Sequence, residues 1–377
     1  MNLTIKPSDK MCDTTSPLGN IENKLIRLPK KVRDNTDIQL HEFLSIKGKN
    51  DDNIFLQVIE AYEEDAMHSN TSGYVSNSTY DLLHITEKDI NIDKVDVTVG
   101  CDPEFFLIDD WTGRVMTASA FFSTHGDVGT DYGLAELRPL PSDNEEGLVH
   151  NIRDLIIKAD HLLSKRSIYM DHLIHMIGAS SYDEMTAGFH LHFGLHPNVL
   201  ANDILLQHIS NIMDFYVGIP SIIPEGKNDA YRRSKRLIAY GKPGDYKKSY
   251  VTFEYRVPGG NLLRSPVLTL GIITLGIVVM TDIVSRIKAY SNSYDLNNTN
   301  WENKLYSNIT DKQNVYDIIT SKSTSKALKQ IDTIFSDVSS MVGFNGKRED
   351  AILAFMTDGI LQTYNGNIRD NWRVRSK

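Results

Sequence analysis

Three short segments carry residue types suited to hard metal ions and phosphate, each pair spaced two residues apart. Gly100-Cys101-Asp102-Pro103-Glu104-Phe105-Phe106 offers carboxylates at 102 and 104. Gly188-Phe189-His190-Leu191-His192-Phe193-Gly194 offers imidazoles at 190 and 192, and Thr252-Phe253-Glu254-Tyr255-Arg256 offers a carboxylate and a guanidinium. In an extended chain, positions i and i+2 point to the same side, so each pair can face one cavity. A fourth strand-like run, Ala135-Glu136-Leu137-Arg138-Pro139, adds Glu136. Taken singly, each motif has a plainer explanation: a D-P-E turn, a core histidine, a cross-strand ion pair. Their repetition favours a shared site. His125 and Asp127, in the loop before Glu136, are secondary candidates, and His196 continues the histidine alternation but falls at the strand's end.

Converging carboxylates, one or two imidazoles and an arginine are a poor set for structural zinc, which prefers closed cysteine and histidine sites. They suit Mg2+ or Mn2+, hard ions that take oxygen ligands and hold phosphates, so a nucleoside triphosphate such as ATP is the expected ligand. A basic window, Arg232, Arg233, Ser234, Lys235 and Arg236 followed by Lys242, Lys247 and Lys248, leads into the Glu254 strand. Arg232, Arg233, Arg236, Lys242 and Arg256 are therefore expected to bind the nucleotide, because guanidinium forks and ammonium charges match phosphate oxygens. No G-x-x-x-x-G-K-[ST] motif occurs, and no G-x-G-x-x-G follows a strand, so ATP would be held by metals and basic residues rather than a glycine-rich loop.

The elements that must position these residues read as α+β. From Val95 to about 260, short alternating runs (VDVTVG, EFFLI, GRVMTA, LAELRP, FHLHFGL, YVTFEYRV) separated by turn residues predict a mainly antiparallel sheet. Helical periodicity interrupts it over 145–165, with Leu148, Ile152, Leu155, Ile156, Ala159 and Leu163 on one face, and over 201–216. After Gly260 the pattern turns helical: 265–289, an Asn-rich loop over 292–303, then 326–341 and 348–361. Three regions follow: a polar, loop-rich 1–90 with at most short helices near 41–46 and 53–64, a catalytic core over 91–290, and a helical cap over 291–377.

The formal net charge of -9 on 377 residues argues against a surface devoted to nucleic acid. Two cysteines, Cys12 and Cys101, are too few for a disulfide framework or a zinc site, and the first residues lack the apolar core of a secretory signal. A cytoplasmic protein is expected. The charge-free stretch 265–281 approaches the length of a membrane span, but Ser265 as N-cap, Pro266 in the first turn and the charges at 282, 286 and 288 favour a buried core helix.

Taken in order, G-C-D-P-E-F-F, A-E-L-R-P, G-F-H-L-H-F-G, the R-R and Y-G-K-P-G-D-Y stretch and F-E-Y-R resemble the carboxylate-amine ligases of the glutamine synthetase and glutamate-cysteine ligase superfamily. The pattern is most similar to the phage-encoded type 2 amidoligases and spans roughly residues 97–262. This resemblance implies a curved antiparallel sheet forming an open barrel or funnel, with helices outside and two or three divalent ions inside. Glu104 and Glu136 would hold the ion nearer the reacting carboxylate. Asp102, one of His190 and His192, and Glu254 would hold the ion on the ATP phosphates, and Arg256 would contact the transferring phosphoryl group. Arg256, Glu136 and Glu254 are thus the expected catalytic residues. Asp102 departs from the family's usual glutamate, and a second carboxylate expected beside Glu136 falls to Asp127 or Asp131.

The implied activity is ATP-dependent amide-bond formation through an acyl phosphate. The carboxylate would belong to a small molecule or peptide, the amine remains open, and a nucleic-acid-linked acceptor has only the basic window in its favour. A bacteriophage source, and hence the host cytoplasm, follows from the resemblance alone. Two other readings compete: another ATP phosphotransferase of guanidine-kinase type, and a non-catalytic structural or binding protein of a virus particle. The intact set from Asp102 to Arg256 argues against the last.

Overall fold

A computed structural model describes residues 97–167, 173–226, 229, 231–232, 241–291, 306, 309, 311–321, 323–361 and 367–374, together with six short strands between residues 4 and 94. Those strands are β1 (Thr4–Pro7), β2 (Lys24–Leu28), β3 (Phe43–Lys47), β4 (Asn53–Tyr62), β5 (Asn70–Val75) and β6 (Asp93–Lys94). They pair in the order β1-β2-β5-β4-β3-β6. The expectation of loops with short helices at 41–46 and 53–64 is corrected here, since both segments are strands. Short apolar runs do not separate helix from strand by periodicity, and in N-I-F-L-Q-V-I the β-branched and aromatic content is the better guide.

The second sheet carries the site. Its path is β15 (Tyr246–Lys248), β16 (Thr252–Tyr255), β14 (Phe189–Gly194), β7 (Thr98–Asp109), β10 (Leu134–Leu137) and β9 (Val128–Asp131). The short strands β8 (Val115–Met116) and β11 (Ile174–Ile177) pair with the far half of β7, and the separate hairpin β12 (Ser181–Tyr182) and β13 (Met185–Thr186) precedes β14. All the ladders are antiparallel, and the sheet is open, ending on β15 and β9.

The strand β7 is the axis. The sequence reads D-P-E as a turn that could open a strand, yet the twelve residues Thr98–Asp109 run through it unbroken. Proline is tolerated because Pro103, paired with Phe189, is the last step of the β14 ladder, and beyond it β7 changes partners to β10, β11 and β8. The donors on either side are satisfied at this point, the Phe189 N–H by the Pro258 carbonyl and the Glu104 N–H by the Gly188 carbonyl. A proline at such a ladder end forfeits little.

Alternation then sorts the two faces. Cys101, Phe105 and Leu107 of β7, Phe189, Leu191 and Phe193 of β14, and Phe253 and Tyr255 of β16 all enter the main hydrophobic core. Each fully buried aromatic or aliphatic side chain contributes about 1.5–3 kcal/mol by leaving water. This face therefore stabilises the sheet while the other presents charge. The helices α1 (Glu145–Ser167), α2 (Asp203–Met213), α3 (Pro266–Ser291), α4 (Lys312–Ile319), α5 (Ile331–Val338) and α6 (Gly346–Leu361) supply much of the rest of the core. The six residues expected on the inner face of α1 are all buried. The apolar stretch of α3 is 78% buried within the protein, as a core helix is. The break within 326–341 leaves a short turn, Ser325–Leu328, ahead of α5. The Asn-rich segment 292–303 lies outside the described residues.

Candidate active site

Strand register brings the motifs onto one face. Asp102 stands opposite His190, and His192 stands opposite both Gly100 and Glu254, across three adjacent strands. On the other side of β7, Glu104 stands opposite Glu136. Directly paired residues in an antiparallel sheet share a face, so the carboxylates and imidazoles lie on one face of the sheet, with Arg256 two residues beyond Glu254.

Two groupings result. In the first, ligand atoms of Asp102, His190 and Glu254 lie within 4.8 Å of one another. His190 Nδ1 is 2.9 Å from Asp102 Oδ1 and 3.6 Å from Glu254 Oε1, and His192 Nε2 is 3.2 Å from Asp102 Oδ1. Arg256 Nε sits 3.0 Å from Glu254 Oε1, with the Asp245 carboxylate 3.9 Å from its guanidinium. Burial would raise the Asp102 carboxyl, but the imidazoles of His190 and His192 outweigh it and hold Asp102 below the usual carboxylate range. Burial would likewise depress His192, and Asp102 raises it above the ordinary imidazole value.

In the second, ligand atoms of Glu104, Asp131 and Glu136 also lie within 4.8 Å of one another. Glu104 Oε2 accepts a 2.6 Å hydrogen bond from the Gly188 N–H, which fixes one of its oxygens. Glu136 pairs with Arg138, whose guanidinium also donates to the carbonyls of Thr124, Gly126 and Thr130. Gly129, opposite Glu136, leaves the room this needs: a Cβ there would collide with the Arg138 guanidinium. Burial foremost, then Asp102, Glu104 and Asp131, outweigh Arg138 and push the Glu136 carboxyl up to about 8.

The donor set fits divalent metal. Both groups are oxygen-rich with at most one imidazole each, the pattern for Mg2+ or Mn2+. Among the described residues, the buried atoms Asp102 Oδ1, Glu136 Oε2 and His192 Nε2 have charged neighbours but no aligned hydrogen-bond partner. Buried polar atoms in that condition are costly unless something else binds them.

The secondary candidates divide. Asp127 is held by Lys158, whose Nζ is 2.7 Å from both carboxylate oxygens, whereas Asp131 at the β9 end joins Glu104 and Glu136. His125 is exposed. His196 caps a short helix, its Nδ1 accepting from Asn198 N at 3.2 Å. Of the basic window, Lys242 is exposed and Arg232 is buried at 4% exposure. Arg232 donates to the carbonyls of Val257 at 2.6 Å and Arg256 at 3.0 Å, and Gly241, at φ +70°, leaves its guanidinium room that a Cβ would fill. Its guanidinium thus braces backbone behind Arg256, which differs from the expected phosphate clamp. Arg233 and Arg236 lie outside the described residues.

Sequence reasoning missed Asp245 and Gly188. The first is a polar residue after a P-G turn, and the second acts only through its backbone. Tyr255, on the opposite face of β16, donates a 2.8 Å hydrogen bond to buried Asp214, whose carboxyl burial pushes up to about 8.

Residues 99–373 match the family model described as phage phiEco32-like COOH.NH2 ligase-type 2. No curated protein sequence matches the chain. Among solved structures, the ligase PafA in complex with the prokaryotic ubiquitin-like protein Pup is similar at 11% identity and a TM-score of 0.39, covering 71% of this chain and 65% of that one. Apo GmaS is similar at 12% identity and TM-score 0.33, covering 68% and 72%. A bifunctional glutathione synthetase from Pasteurella multocida is similar at 12% identity and TM-score 0.32, covering 73% and 53%. The chain thus spans just under two thirds of the length of PafA and about half that of the glutathione synthetase.

Proposed function

Because the chain belongs to the phage phiEco32-like COOH.NH2 ligase-type 2 family, we propose that it joins a carboxylate to an amine at the expense of ATP, through an acyl phosphate. The observation that carries this reading is the pairing of two carboxylate-rich groups on one sheet face, one of them beside Arg256. Phosphoryl transfer needs charge neutralisation and positioning more than a nucleophile from the protein.

In the first step a carboxylate oxygen of the substrate attacks the γ-phosphorus, the bond to ADP breaks, and ADP leaves. In the second the amine nitrogen attacks the acyl carbon, a C–N bond forms, the C–O bond to phosphate breaks, and the nitrogen gives up a proton. Arg256, aligned by Glu254 and by its N–H bond to the Asp245 carbonyl, offsets negative charge on the phosphoryl oxygens. Arg232 is a positioning residue that fixes the backbone at 256–257. Asp102, His190 and Glu254 would hold one divalent ion and Glu104, Asp131 and Glu136 another, and such ions supply further neutralisation of phosphate and carboxylate charge. His192 sits beside the first group through Asp102.

The ligase core occupies about 91–290 with a helical cap behind it, and the protein works in a cytoplasm, the host's if it is viral, as its two cysteines favour. The test is ATP turnover with Mg2+ and pooled amino acids, peptides and polyamines. ADP formation should accompany a product whose mass is that of two reactants less one water, and both should vanish in Glu254→Ala. ADP formation with a phosphorylated product in place of a dehydrated one would identify a phosphotransferase, and absence of ATP binding would overturn the reading.

A further inference from the structure

Behind the site, on the other face of β16, lies a cavity of about 260 Å³ between α2, α4 and the turn before β15. Gln207, Asn211 and Asp214 line it from one side, at i, i+4 and i+7 along α2 and into the π-turn Asp214–Gly218 that follows. This spacing is one helix face. The neighbouring positions Leu206, Ile209, Ile212 and Met213 are buried in the core, so the polar stripe is directed to the cavity. Lys312 and Tyr316 of α4 line the opposite side, and Gly244 closes it.

The lining is asymmetric in charge. Asp214 is a buried carboxylate, 4% exposed, that receives the Tyr255 hydroxyl and the Gly244 N–H, and among the described residues no lysine or arginine forms an ion pair with it. Along the same stripe the Gln207 amide donates to Asn211 Oδ1 at 3.3 Å, whereas Lys312 brings an ammonium to the other wall. One wall therefore suits a cationic donor group and the other an anionic acceptor group. Burial favours the protonated Asp214 carboxyl, as expected of a site lacking its counter-charge. The volume is below the roughly 300–1,000 Å³ of sites for drug-sized ligands, leaving room for a small molecule. A π-turn at the end of such a stripe is a feature often found where a helix serves a ligand.

We propose that this cavity is a second binding site, for a free α-amino acid, with the ammonium on Asp214 and the carboxylate on Lys312. The site lies outside the catalytic cleft but is connected to it. Tyr255, which holds Asp214, stands between Glu254 and Arg256, and Gly244 precedes Asp245, whose carbonyl accepts the Arg256 N–H. An occupant would thus bear on the segment that aligns Arg256, which makes it an effector.

Isothermal titration of the full chain without ATP, using the common free amino acids one by one, tests this. At least one should bind to wild type and equally to Glu254→Ala. Binding should weaken at least about tenfold in Asp214→Asn, which is isosteric, and in Lys312→Ala, a change at an exposed position. Propylamine and butyrate, each carrying one of the two charged ends, should bind far more weakly. Thermal melts confirm that each variant is folded. If no amino acid binds at millimolar concentration, or if binding survives both variants, the assignment is overturned. Loss in Glu254→Ala with retention in Asp214→Asn would place the amino acid in the catalytic cleft and also overturn it, while leaving the ligase reading intact.

Discussion

The two carboxylate groups stand on the same sheet face and share β7, yet their electrostatics are opposite. Asp102 has two imidazoles against it and is held ionised, and its neighbour Glu254 has Arg256. At Glu136, burial and three carboxylates outweigh Arg138, and the carboxyl rises to about 8. The first group is nearly neutralised by the protein itself, as suits a place where phosphate must also fit. The second is charge-rich and under-compensated, so it depends more on a bound cation. Grouping acids is thus a different device from pairing them with bases, and one cleft uses both.

The largest expected effect breaks the first group. Arg256→Ala should lower kcat for amide formation by about 10²–10³-fold, the usual cost of removing one aligned charge donor, with a smaller change in the KM for ATP. Steady-state kinetics check this, and an unchanged kcat would remove Arg256 from the reaction. The second group is sharpened by Mn2+ titration: Glu136→Gln should weaken one class of ion by at least about 10–100-fold, the range for lost metal-site support, and leave the class at Asp102 in place.

Stability without divalent ions should then move in opposite directions at the two groups. His190→Ala leaves Asp102 with His192 alone and should destabilise by about 1–3 kcal/mol, the cost of taking one hydrogen-bond partner from a buried charged group. At about pH 9, where Glu136 ionises in the folded protein, Glu136→Gln relieves burial and repulsion of the carboxylate and should stabilise by about 1–2 kcal/mol. Urea unfolding in chelator reads both, and equal signs would contradict the contrast.

The last effect depends on pH and lies behind the sheet. Asp214 has its carboxyl raised to about 8 in the folded protein, against 3.8 as the ordinary value. The folded state therefore binds the extra proton, and this contribution to stability is full below about pH 4, declines as pH rises, and is gone above about pH 8. Asp214→Asn removes that dependence, so its advantage over wild type in urea unfolding should grow from about pH 5 to about pH 9. A constant difference would show that Asp214 titrates normally.

Much of the site was legible because β-strand alternation is a strict rule. Once Asp102, Glu104, His190, His192, Glu254 and Arg256 are read as i, i+2 pairs, only register remains, and register brought the pairs together. What escaped depends on the third dimension. Asp131 could be told from Asp127 only by the hairpin that turns one toward Glu136 and the Lys158 that captures the other. Arg232 reads as a basic surface residue, but the fold buries it against the backbone of 256–257. The N-terminal strands were obscured by Asn, Asp and Ser content, which marks loops on average but does not forbid edge and hairpin strands. On the helical side, the apolar periodicity of α1 marked its buried face, whereas α3, apolar all round, was told from a membrane span by its Ser-Pro start and the charges that follow.

The central claim is that a carboxylate is activated by phosphoryl transfer before an amine attacks it, and heavy-oxygen transfer tests it most directly. Amino acids and peptides labelled in their carboxyl oxygens would be pooled with ATP, Mg2+ and unlabelled amines, and the released phosphate analysed by mass. The account predicts one heavy oxygen in each phosphate released with conjugate, and neither product in Glu254→Ala. Conjugate formed with wholly unlabelled phosphate, or ATP cleaved with no dehydrated product from the pool, would contradict it.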